Sequence, residues 1–459
     1  MITRTLEQVA RMAEAELSHD KWKDVQIEGV SIDTRSIQQG QLFIPLPGSN
    51  VDGHKFVRQA FEKGARATFW KKGVDGAPED IPLIFVDDPL IAMQQLARSY
   101  RDQTGVRIVG VTGSNGKTST KDMIAEVLSS TFSVQKTKGN FNSQLGLPLS
   151  IFELEKDTEV MVLEMGMSDV GQIEILSKIA KPDIAVITNI GESHLEYLGS
   201  REKIADAKFE ITTGLRNDGA FIYDGDEPLL QQKISSSTFS FQTISFGETD
   251  TSDLFPLSIE LKDNGTEFTV NTIPQTPLFL PVLGMHNVKN ALASIAVGQF
   301  MGINEEKMKR ALAKVTLTSM RMEAHQGKND CLIINDAYNA SPTSMKAAVS
   351  LVDSLEKYHK KVLVLGDMLE LGKAEKEFHQ EVGSFISNLT IDYVFTYGRL
   401  GQFIASAVKE KSEEIKTRAF DDKQDLKESL LPLLDRDTVV LFKASRGMKL
   451  EEIVEDIIG

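Results

Sequence analysis

The stretch Val109-Gly110-Val111-Thr112-Gly113-Ser114-Asn115-Gly116-Lys117-Thr118 decides the fold of this chain. An apolar run at 107–111 leads into a turn broken by glycines, and a helical pattern follows over 120–128. Glycines in such a turn allow backbone N–H groups to converge on phosphate oxygens, and the N-terminus of the helix adds its dipole. Lys117 supplies a cation for the β- and γ-phosphates, and the Thr118 hydroxyl can hold Mg²⁺. The order of strand, loop and helix predicts a binding site for a nucleoside triphosphate.

The spacing within this loop differs from that of the common phosphate-binding loop. A glycine usually stands five residues before the Gly-Lys pair, but this chain has Val111 there and carries its glycine at Gly113. A chance Gly-Lys-Thr sequence in an ordinary loop is the alternative, and the strand before it and the helix after it weigh against that alternative. The residues that we expect to contact the nucleotide are Thr112, Gly113, Ser114, Asn115, Gly116, Lys117 and Thr118.

The composition describes an acidic globular chain. Its 459 residues correspond to about three domains, and 51 Lys and Arg against 66 Asp and Glu give a formal net charge of −15. This charge argues against nonspecific binding to nucleic acid or to anionic membranes. The sequence contains no apolar stretch of about 18 residues, so we expect no membrane span. Residues 1–17 lack the apolar core of a signal peptide.

The single cysteine, Cys331, excludes an intrachain disulfide. It stands in the apolar run 331–334, so we expect a buried thiol with a structural role. A chain without disulfides fits a reducing compartment. Together with the lack of a signal peptide or membrane span, this predicts a cytoplasmic protein.

The apolar runs divide the chain into a small N-terminal α/β domain, a central P-loop-type α/β domain that binds ATP, and a C-terminal Rossmann-like domain. We expect their bounds to be residues 1–100, 101–315 and 316–459. In the central part, near-continuous apolar runs at 159–164 and 183–189 predict strands covered on both faces. The alternation of apolar and polar residues over 238–283 predicts an antiparallel portion of the sheet structure. The third part alternates strands and helices, which predicts a doubly wound parallel sheet.

Polar side chains follow two of the central strands. Glu164 ends the first strand, and His194 comes shortly after the second. The carboxyl ends of strands in an open α/β sheet face the ligand crevice, so both side chains are candidate Mg²⁺ ligands beside the phosphate loop. The alternatives are a solvated acid at the strand end and a surface or core histidine. Lys208 lies in a helical pattern, and that pattern alone predicts an exposed lysine.

Several segments together resemble the Mur ligase family of peptidoglycan synthesis, and the likeness covers essentially the whole chain. The shortened loop 112–118 has the form that this family shows. The other segments are Ser31-Ile32-Asp33-Thr34-Arg35, Asn140-Phe141-Asn142-Ser143-Gln144-Leu145-Gly146, His286-Asn287-Val288-Lys289-Asn290-Ala291 and Arg321-Met322-Glu323. Ser143 departs from the family's usual Asn-Asn pair. Residues 335–342 and 365–372 are similar to segments of the member that adds a dipeptide, and the Asp-Asn-Pro-Arg-like segment expected of its sister is not found.

This resemblance implies an ATP-dependent amide ligase. Its reaction would join D-alanyl-D-alanine to UDP-N-acetylmuramoyl-tripeptide through an acyl phosphate made with the γ-phosphoryl group of ATP. The implied catalytic residues are Lys117, His194, Lys208 and Arg321. The implied ligands of two Mg²⁺ ions are Thr118, Glu164, His194 and a carbamylated Lys208.

The resemblance also implies contacts with the nucleotide and the substrates. Asn290 would contact the adenine, although it could merely cap or pack a helix. Arg321 would contact the γ-phosphate, and its alternative is a salt bridge. Asp336 would contact the nucleotide from the third domain, and its alternative is a turn or cap residue. The implied substrate contacts are Ser31, Asp33, Arg35, Asn142, Asn339 and Ser341. The basic loop 443–447 could meet an anionic carboxylate, and the family suggests a monomer.

Other functions stay open at this point. A sister ligase would add a single amino acid, or a glutamate to a folate, and would differ in its amine. A P-loop switch or motor ATPase would hydrolyse ATP without a peptide and depend on a protein partner. A nonenzymatic nucleotide-binding protein would leave Arg321 and the metal-ligand candidates unexplained.

Overall fold

The computed structural model describes residues 1–48, 51–262 and 264–458. The chain folds into three successive α/β parts, as the alternation of apolar runs predicts. Within these ranges, no helix has both the length and the apolar character that crossing a membrane requires.

The N-terminal part is a small mixed sheet with helices around it. Its strands are β1 (Thr3–Thr5), β2 (Glu16–Leu17), β3 (Gln26–Glu28), β4 (Val30–Ser31), β5 (Leu42–Phe43), β6 (Ala67–Lys71) and β7 (Leu83–Val86), and its helices are α1 (Leu6–Met12), α2 (Val57–Glu62) and α3 (Pro89–Thr104). The sheet order is β2-β7-β6-β5-β4, and β1 pairs separately with β3. Helix α3 starts at the Asp88 cap, crosses residue 100 and ends at Gly105, whose φ of 69° suits glycine.

The central part is built on a parallel sheet. Its strands are β8 (Arg107–Thr112), β9 (Val134–Lys136), β10 (Val160–Glu164), β11 (Ile184–Ile187), β12 (Ala220–Asp224) and β13 (Gln242–Phe246), in the order β13-β12-β11-β8-β10-β9. The helices are α4 (Lys117–Ser129), α5 (Gly146–Phe152), α6 (Gln172–Ala180), α7 (Leu195–Leu198), α8 (Arg201–Phe209), α9 (Pro228–Ser235), α10 (Met285–Phe300) and α11 (Glu305–Leu312). Because β8 lies between β10 and β11, the phosphate loop and the ends of both neighbouring strands share one edge of the sheet.

The expected antiparallel portion over 238–283 is only partly right. Its first strand, β13, is parallel to β12 and extends the central sheet. The antiparallel sheet begins later, with β14 (Pro256–Lys262), β15 (Gly265–Val270) and β16 (Leu278–Leu280). The alternation does not fix the direction of a strand, and β13 shows no alternating burial: it runs from exposed Gln242 to buried Ser245 and Phe246.

The C-terminal part is the expected doubly wound sheet with one correction. Its strands are β17 (Glu323–Gln326), β18 (Leu332–Asp336), β19 (Lys360–Gly366), β20 (Tyr393–Tyr397), β21 (Lys416–Phe420) and β22 (Thr438–Lys443), in the order β17-β18-β22-β19-β20-β21. Strand β17 pairs antiparallel with β18, so the sheet is not wholly parallel. The helices are α12 (Pro342–Ser354), α13 (Glu375–Ile386), α14 (Gly401–Lys411), α15 (Lys423–Leu430) and α16 (Glu451–Ile458).

The apolar core continues across the boundaries between the parts. Helices α4 and α10 pack against each other, and their buried side chains join one core that extends into the C-terminal sheet. A second core joins the N-terminal part to the other face of the central sheet. Cys331 is fully buried, as predicted. The phosphate loop is therefore carried on elements that are buried on both sides.

Candidate active site

The phosphate loop connects β8 to α4 and needs glycine at two positions. Gly113 has a φ of 151°, and a Cβ there would lie 1.8 Å from Thr188 Oγ1. Gly116 precedes α4 with a φ of 76°, and a Cβ there would lie 2.6 Å from Asn290 Oδ1. The backbone N–H of Asn115 donates to Asn189 Oδ1 at 2.9 Å. The segment after β11 therefore holds the loop in shape.

Lys117 and Thr118 open helix α4 at the floor of a cleft. Lys117 Nζ donates to the carbonyl oxygens of Gly113 at 2.8 Å and Ser114 at 3.3 Å. Burial lowers the pKa of Lys117; the Glu164 carboxylate opposes this and the Arg321 cation adds to it. The Thr118 hydroxyl donates to Glu164 Oε2 at 2.9 Å. The strand-end carboxylate thus lies directly beside the loop, as the sequence predicts.

Asn142 completes the surroundings of Glu164. Its Nδ2 donates to Glu164 Oε1 at 2.8 Å, so both oxygens of the buried carboxylate have a partner. Ser143, which departs from the family pattern, is exposed at the rim of the cleft. Its hydroxyl accepts from the backbone N–H of Gly146 at 3.3 Å, which starts helix α5.

Arg321 reaches the same floor from the segment before β17. Its Nη2 donates to Thr118 Oγ1 at 3.3 Å, and its guanidinium carbon lies 4.1 Å from the centre of the Tyr338 ring. The backbone turns sharply here, because Met320 and Met322 have φ values of 60° and 53°. The buried Nε of Arg321 has no hydrogen-bond partner among the described residues.

Asn290 and Asp336 are near the nucleotide loop but already bonded within the protein. Asn290 Oδ1 accepts from Thr120 Oγ1 at 3.1 Å, and its Nδ2 donates to Asn287. Asp336 Oδ1 accepts from the Met322 N–H at 3.2 Å, and its Oδ2 lies 2.5 Å from Lys443 Nζ. Lys443 is therefore paired with Asp336 in the cleft wall.

His194 meets a carboxylate from the C-terminal part. Its Nδ1 lies 2.7 Å from Glu370 Oε2, and the adjacent imidazole lowers the pKa of that carboxyl. Histidines that bind metals commonly direct their other ring nitrogen to a carboxylate. This arrangement leaves Nε2 of His194 as the nitrogen for a ligand.

Lys208 is buried, which contradicts the exposed lysine that its helical pattern alone predicts. The residue is 2% exposed on α8, and its Nζ has no hydrogen bond or ion pair with any described residue. Burial, and then the cation of Lys117, lower the pKa of Lys208 well below its ordinary value. The pattern is misleading because α8 contacts α6, α7 and α9 and buries Lys208 together with Ile204, Ala205 and Ala207.

Most of the side chains described above line one cleft of about 1230 Å³ between the central and C-terminal parts. The predicted site residues that line it are Ser114, Asn115, Gly116, Lys117, Thr118, Asn142, Glu164, His194, Asn290, Arg321, Asp336 and Asn339. The predicted residues outside its lining are Ser31, Asp33, Arg35, Thr112, Gly113, Lys208 and Ser341. The Thr112 hydroxyl instead donates to Met165 O, and Ser341 caps α12 while its hydroxyl contacts Asn115 Oδ1 at 3.1 Å.

Ser31, Asp33 and Arg35 form a separate polar turn in the N-terminal part. The Arg35 guanidinium binds the Asp33 carboxylate at 2.6 Å and lowers the pKa of Asp33 to about 2. The Ser31 hydroxyl accepts from the Asp33 N–H at 3.2 Å. The turn is thus organised, but the structure does not bring it into the nucleotide cleft.

Sequence reasoning missed a charged group at the far side of the cleft. Lys289 Nζ lies 3.0 Å from Asp224 Oδ1 and 2.9 Å from Asp226 Oδ2, which raises the pKa of Lys289 despite its burial. Asp224 ends β12 and Asp226 follows two residues later, so the rule that singles out Glu164 at its strand end applies to these acids as well. Lys289 belongs to the segment 286–291, in which a role was predicted for Asn290 alone.

The donors in the cleft fit an anionic ligand and Mg²⁺. Arg321 Nε and Asn115 Nδ2 are buried donors without partners among the described residues, and such groups are rare in native proteins unless a ligand or water satisfies them. In the described ranges, no three His, Cys, Asp or Glu side chains are grouped to hold a metal. Mg²⁺ usually takes one or two carboxylates with phosphate oxygens and water, which suits Glu164 and Thr118 beside a triphosphate.

The phosphate loop faces an arginine from the following domain across one cleft. Together with the three α/β parts of the fold, this arrangement is that of a P-loop nucleotide-binding protein of three domains. Residues 26–101 match the Mur ligase family catalytic domain, residues 111–298 the Mur ligase middle domain and residues 320–446 the Mur ligase glutamate ligase domain. The chain is 50% identical over 458 residues to UDP-N-acetylmuramoyl-tripeptide–D-alanyl-D-alanine ligase of Bacillus subtilis (strain 168), across 100% of this chain and 99% of that protein. The chain belongs to the Mur ligase family.

Solved structures agree with this membership. A crystal structure of MurF from Acinetobacter baumannii superimposes with a TM-score of 0.91 at 30% identity, over 100% of this chain and 99% of that chain. MurF ligase from Thermotoga maritima, solved in complex with ADP, gives a TM-score of 0.83 at 30% identity, over 93% and 96% of the two chains. The three-domain α/β architecture is therefore confirmed.

Proposed function

We propose that this chain is an ATP-dependent ligase that joins D-alanyl-D-alanine to UDP-N-acetylmuramoyl-tripeptide in peptidoglycan precursor synthesis. The terminal carboxylate of the tripeptide is a poor electrophile because its leaving group would be oxide. Transfer of the γ-phosphoryl group of ATP converts it to an acyl phosphate, whose leaving group is phosphate. The amine of the dipeptide then attacks the acyl carbon, and the tetrahedral intermediate expels phosphate to leave an amide and ADP.

The observation that carries this proposal is the position of Arg321. Its guanidinium lies 3.3 Å from Thr118 Oγ1 at the start of α4 and carries an unpartnered Nε donor. Phosphoryl transfer depends chiefly on positioning and on neutralising charge, and a planar guanidinium suits the oxygens of a transferring phosphoryl group. Lys117 would leave its carbonyl partners in the loop to meet the β- and γ-phosphates. No protein nucleophile is needed.

Mg²⁺ would be held by Glu164 and the Thr118 hydroxyl, with His194 Nε2 as a further ligand. The bound metal would neutralise charge on the phosphates. Lys208 supports a second ion in a different way. Burial lowers its pKa and so favours the neutral amine, whose nitrogen can attack CO₂; loss of one proton to solvent then leaves an anionic carbamate, a carboxylate-like ligand.

The domains have separate proposed tasks. The turn at Ser31, Asp33 and Arg35 would bind the uridine nucleotide, residues 101–315 ATP, and residues 316–459 the dipeptide, with Asn142, Asn339 and Ser341 as substrate contacts. Asn290 and Asp336 would meet the nucleotide by exchanging their present partners. We propose that the enzyme acts as a cytoplasmic monomer. The domain bounds of 1–100, 101–315 and 316–459 are part of this proposal.

Phosphate release tests the proposed reaction. Purified protein with ATP, Mg²⁺ and muramyl-tripeptide nucleotide, carrying either lysine or diaminopimelate, receives one candidate amine at a time. D-alanyl-D-alanine should produce equal amounts of phosphate and amide, while single D- or L-amino acids should produce neither. Turnover with a single amino acid would favour a sister ligase. ATP hydrolysis without a tripeptide, and no amide under any condition, would favour a switch ATPase and defeat the proposal.

A further inference from the structure

The carboxylate of Asp122 is buried on helix α4, one turn beyond Thr118, and is 2% exposed. Its Oδ1 lies 2.7 Å from Lys136 Nζ and 3.4 Å from Lys121 Nζ. Burial acts to raise the pKa of this carboxyl, but the cations of Lys121 and Lys136 outweigh burial and leave the pKa below its ordinary value. Asp122 is therefore a buried anion in the helix that carries the phosphate loop.

The other oxygen of Asp122 binds the segment that joins the central and C-terminal parts. Oδ2 accepts from the backbone N–H of Thr318 at 2.9 Å and from its hydroxyl at 2.7 Å. Thr318 lies between the end of α11 and the start of β17, three residues before Arg321. Both bonds end on an ionised acceptor, so each is stronger than a neutral hydrogen bond.

The turn around Arg321 is held at further points. Met320 N–H donates to Glu323 Oε2 at 2.8 Å, and Met322 N–H donates to Asp336 Oδ1 at 3.2 Å. Both methionines have positive φ values, which unbranched L-residues adopt only when their surroundings determine the backbone. Among these anchors, Asp122 is the one that belongs to helix α4, and it ties the arginine turn to the helix that starts with Lys117 and Thr118.

We infer that Asp122 is a positioning residue that sets the guanidinium of Arg321 against Thr118 by holding Thr318. This inference rests on the proposed role of Arg321 in phosphoryl transfer. The path between the two sites is short: helix α4 carries Thr118 and Asp122 on successive turns, and Asp122 fixes the linker three residues before the arginine. The same helix thereby determines both the phosphate loop and the distance from it to the arginine.

Asp122→Asn tests the inference. An amide has one accepting oxygen, so it can face Thr318 or the two lysines but not both, and its NH₂ group then opposes a donor. We expect kcat to fall by about tenfold to a hundredfold, the loss typical of an approximately 1 Å misplacement. The KM for ATP should change less than about threefold, because the loop and Lys117 stay in place.

Asp183→Asn is the matched control. Asp183 Oδ2 accepts from the Ile108 N–H at 2.7 Å at the start of β8, at the end of the sheet away from the cleft. This substitution also removes a carboxylate that binds backbone in the central domain. It should lower the unfolding temperature without changing kcat. An equal loss of kcat in both variants would reduce Asp122 to a stability role and overturn the inference.

Thr318→Val provides a second route if Asp122→Asn folds poorly. It removes the hydroxyl bond and keeps the backbone bond, so kcat should fall by a few-fold. Combined with Arg321→Ala, it should have no further effect on the residual rate, because the arginine that it positions is gone. If Arg321→Ala keeps full activity, the proposed function of that residue fails. If Arg321→Ala loses activity while Thr318→Val and Asp122→Asn keep the parent kcat, only the positioning inference fails.

Discussion

Replacing Arg321 with alanine separates catalysis from stability more sharply than other substitutions in the cleft. An arginine that stabilises a transferring phosphoryl group contributes about 10³- to 10⁵-fold to kcat, or roughly 4–7 kcal/mol at about 1.4 kcal/mol per tenfold. The interactions that this side chain makes within the folded protein are weaker. Stacking on Tyr338 at 4.1 Å contributes about 0.5–1 kcal/mol, and the bond to Thr118 Oγ1 about 0.5–1.5 kcal/mol.

The assay measures two quantities on the same preparation. Steady-state phosphate release at saturating ATP, tripeptide nucleotide and dipeptide gives kcat, which we expect to fall by at least about 10³-fold. Urea unfolding gives the stability, which should fall by only about 1–2 kcal/mol because the side chain is half-buried and has few partners. ADP affinity should change little, since the substitution leaves unchanged Lys117 and the loop, which we propose to bind the diphosphate portion.

Arg107→Ala is the control for a stacked arginine outside the cleft. Its guanidinium lies 4.4 Å from the Phe132 ring at the start of β8. Its loss should lower stability by a similar amount and leave kcat unchanged. Two results would show that Arg321 does not act on the transferring phosphoryl group. One is a kcat of Arg321→Ala within tenfold of the parent. The other is an equal loss of kcat in Arg107→Ala, which would tie the loss of kcat to the loss of stability.

Three further predictions concern Lys117 of the cleft and the buried Lys208. Lys117→Ala should abolish ligation while circular dichroism shows a folded protein, and near-normal turnover would refute its role. Lys208→Ala should lose activity and regain part of it when short carboxylates such as acetate are added; a fully active variant would contradict the carbamate. Burial lowers the pKa of Lys208, so between that lowered pKa and the ordinary value of about 10.5 the unfolded chain binds the extra proton and stability rises with pH through this group. Lys208→Met, studied without CO₂, should lose that part of the slope of unfolding free energy against pH.

The local part of this structure follows from local sequence. Short-range signals in the sequence predict three features of the structure. Glycine placement predicts the phosphate loop, an apolar run predicts the strand that ends in Glu164, and the spacing of apolar residues predicts the alternation of helices and strands in the C-terminal domain. The edge strands were harder to predict. Strand β17 is antiparallel and β13 is parallel, because the direction of an edge strand depends on where the chain enters the sheet rather than on its composition.

The contacts that assemble the site are long-range and have no local signal. His194 meets Glu370, and Lys289 meets Asp224, across segments distant in sequence. The burial of Lys208 depends on which face of α8 is turned toward the protein interior, and the helical pattern around it is too polar to reveal that face. Only the family resemblance gave this lysine a role, and the structure adds a physical reason for it, since burial lowers the pKa of the amine.

The site is complete only where the central and C-terminal domains meet, and this has a chemical consequence. Arg321 and Ser341 come from beyond the linker, yet they contact Thr118 and Asn115 of the phosphate loop. Thr343 Oγ1 also donates to Glu192 Oε2 at 2.8 Å across the same cleft. An acyl phosphate hydrolyses readily, so a ligase gains if the γ-phosphoryl group is activated only when the domain that carries the amine has closed over it. If Arg321 and the C-terminal domain have the roles proposed above, placing the arginine on that side of the linker would couple the two events.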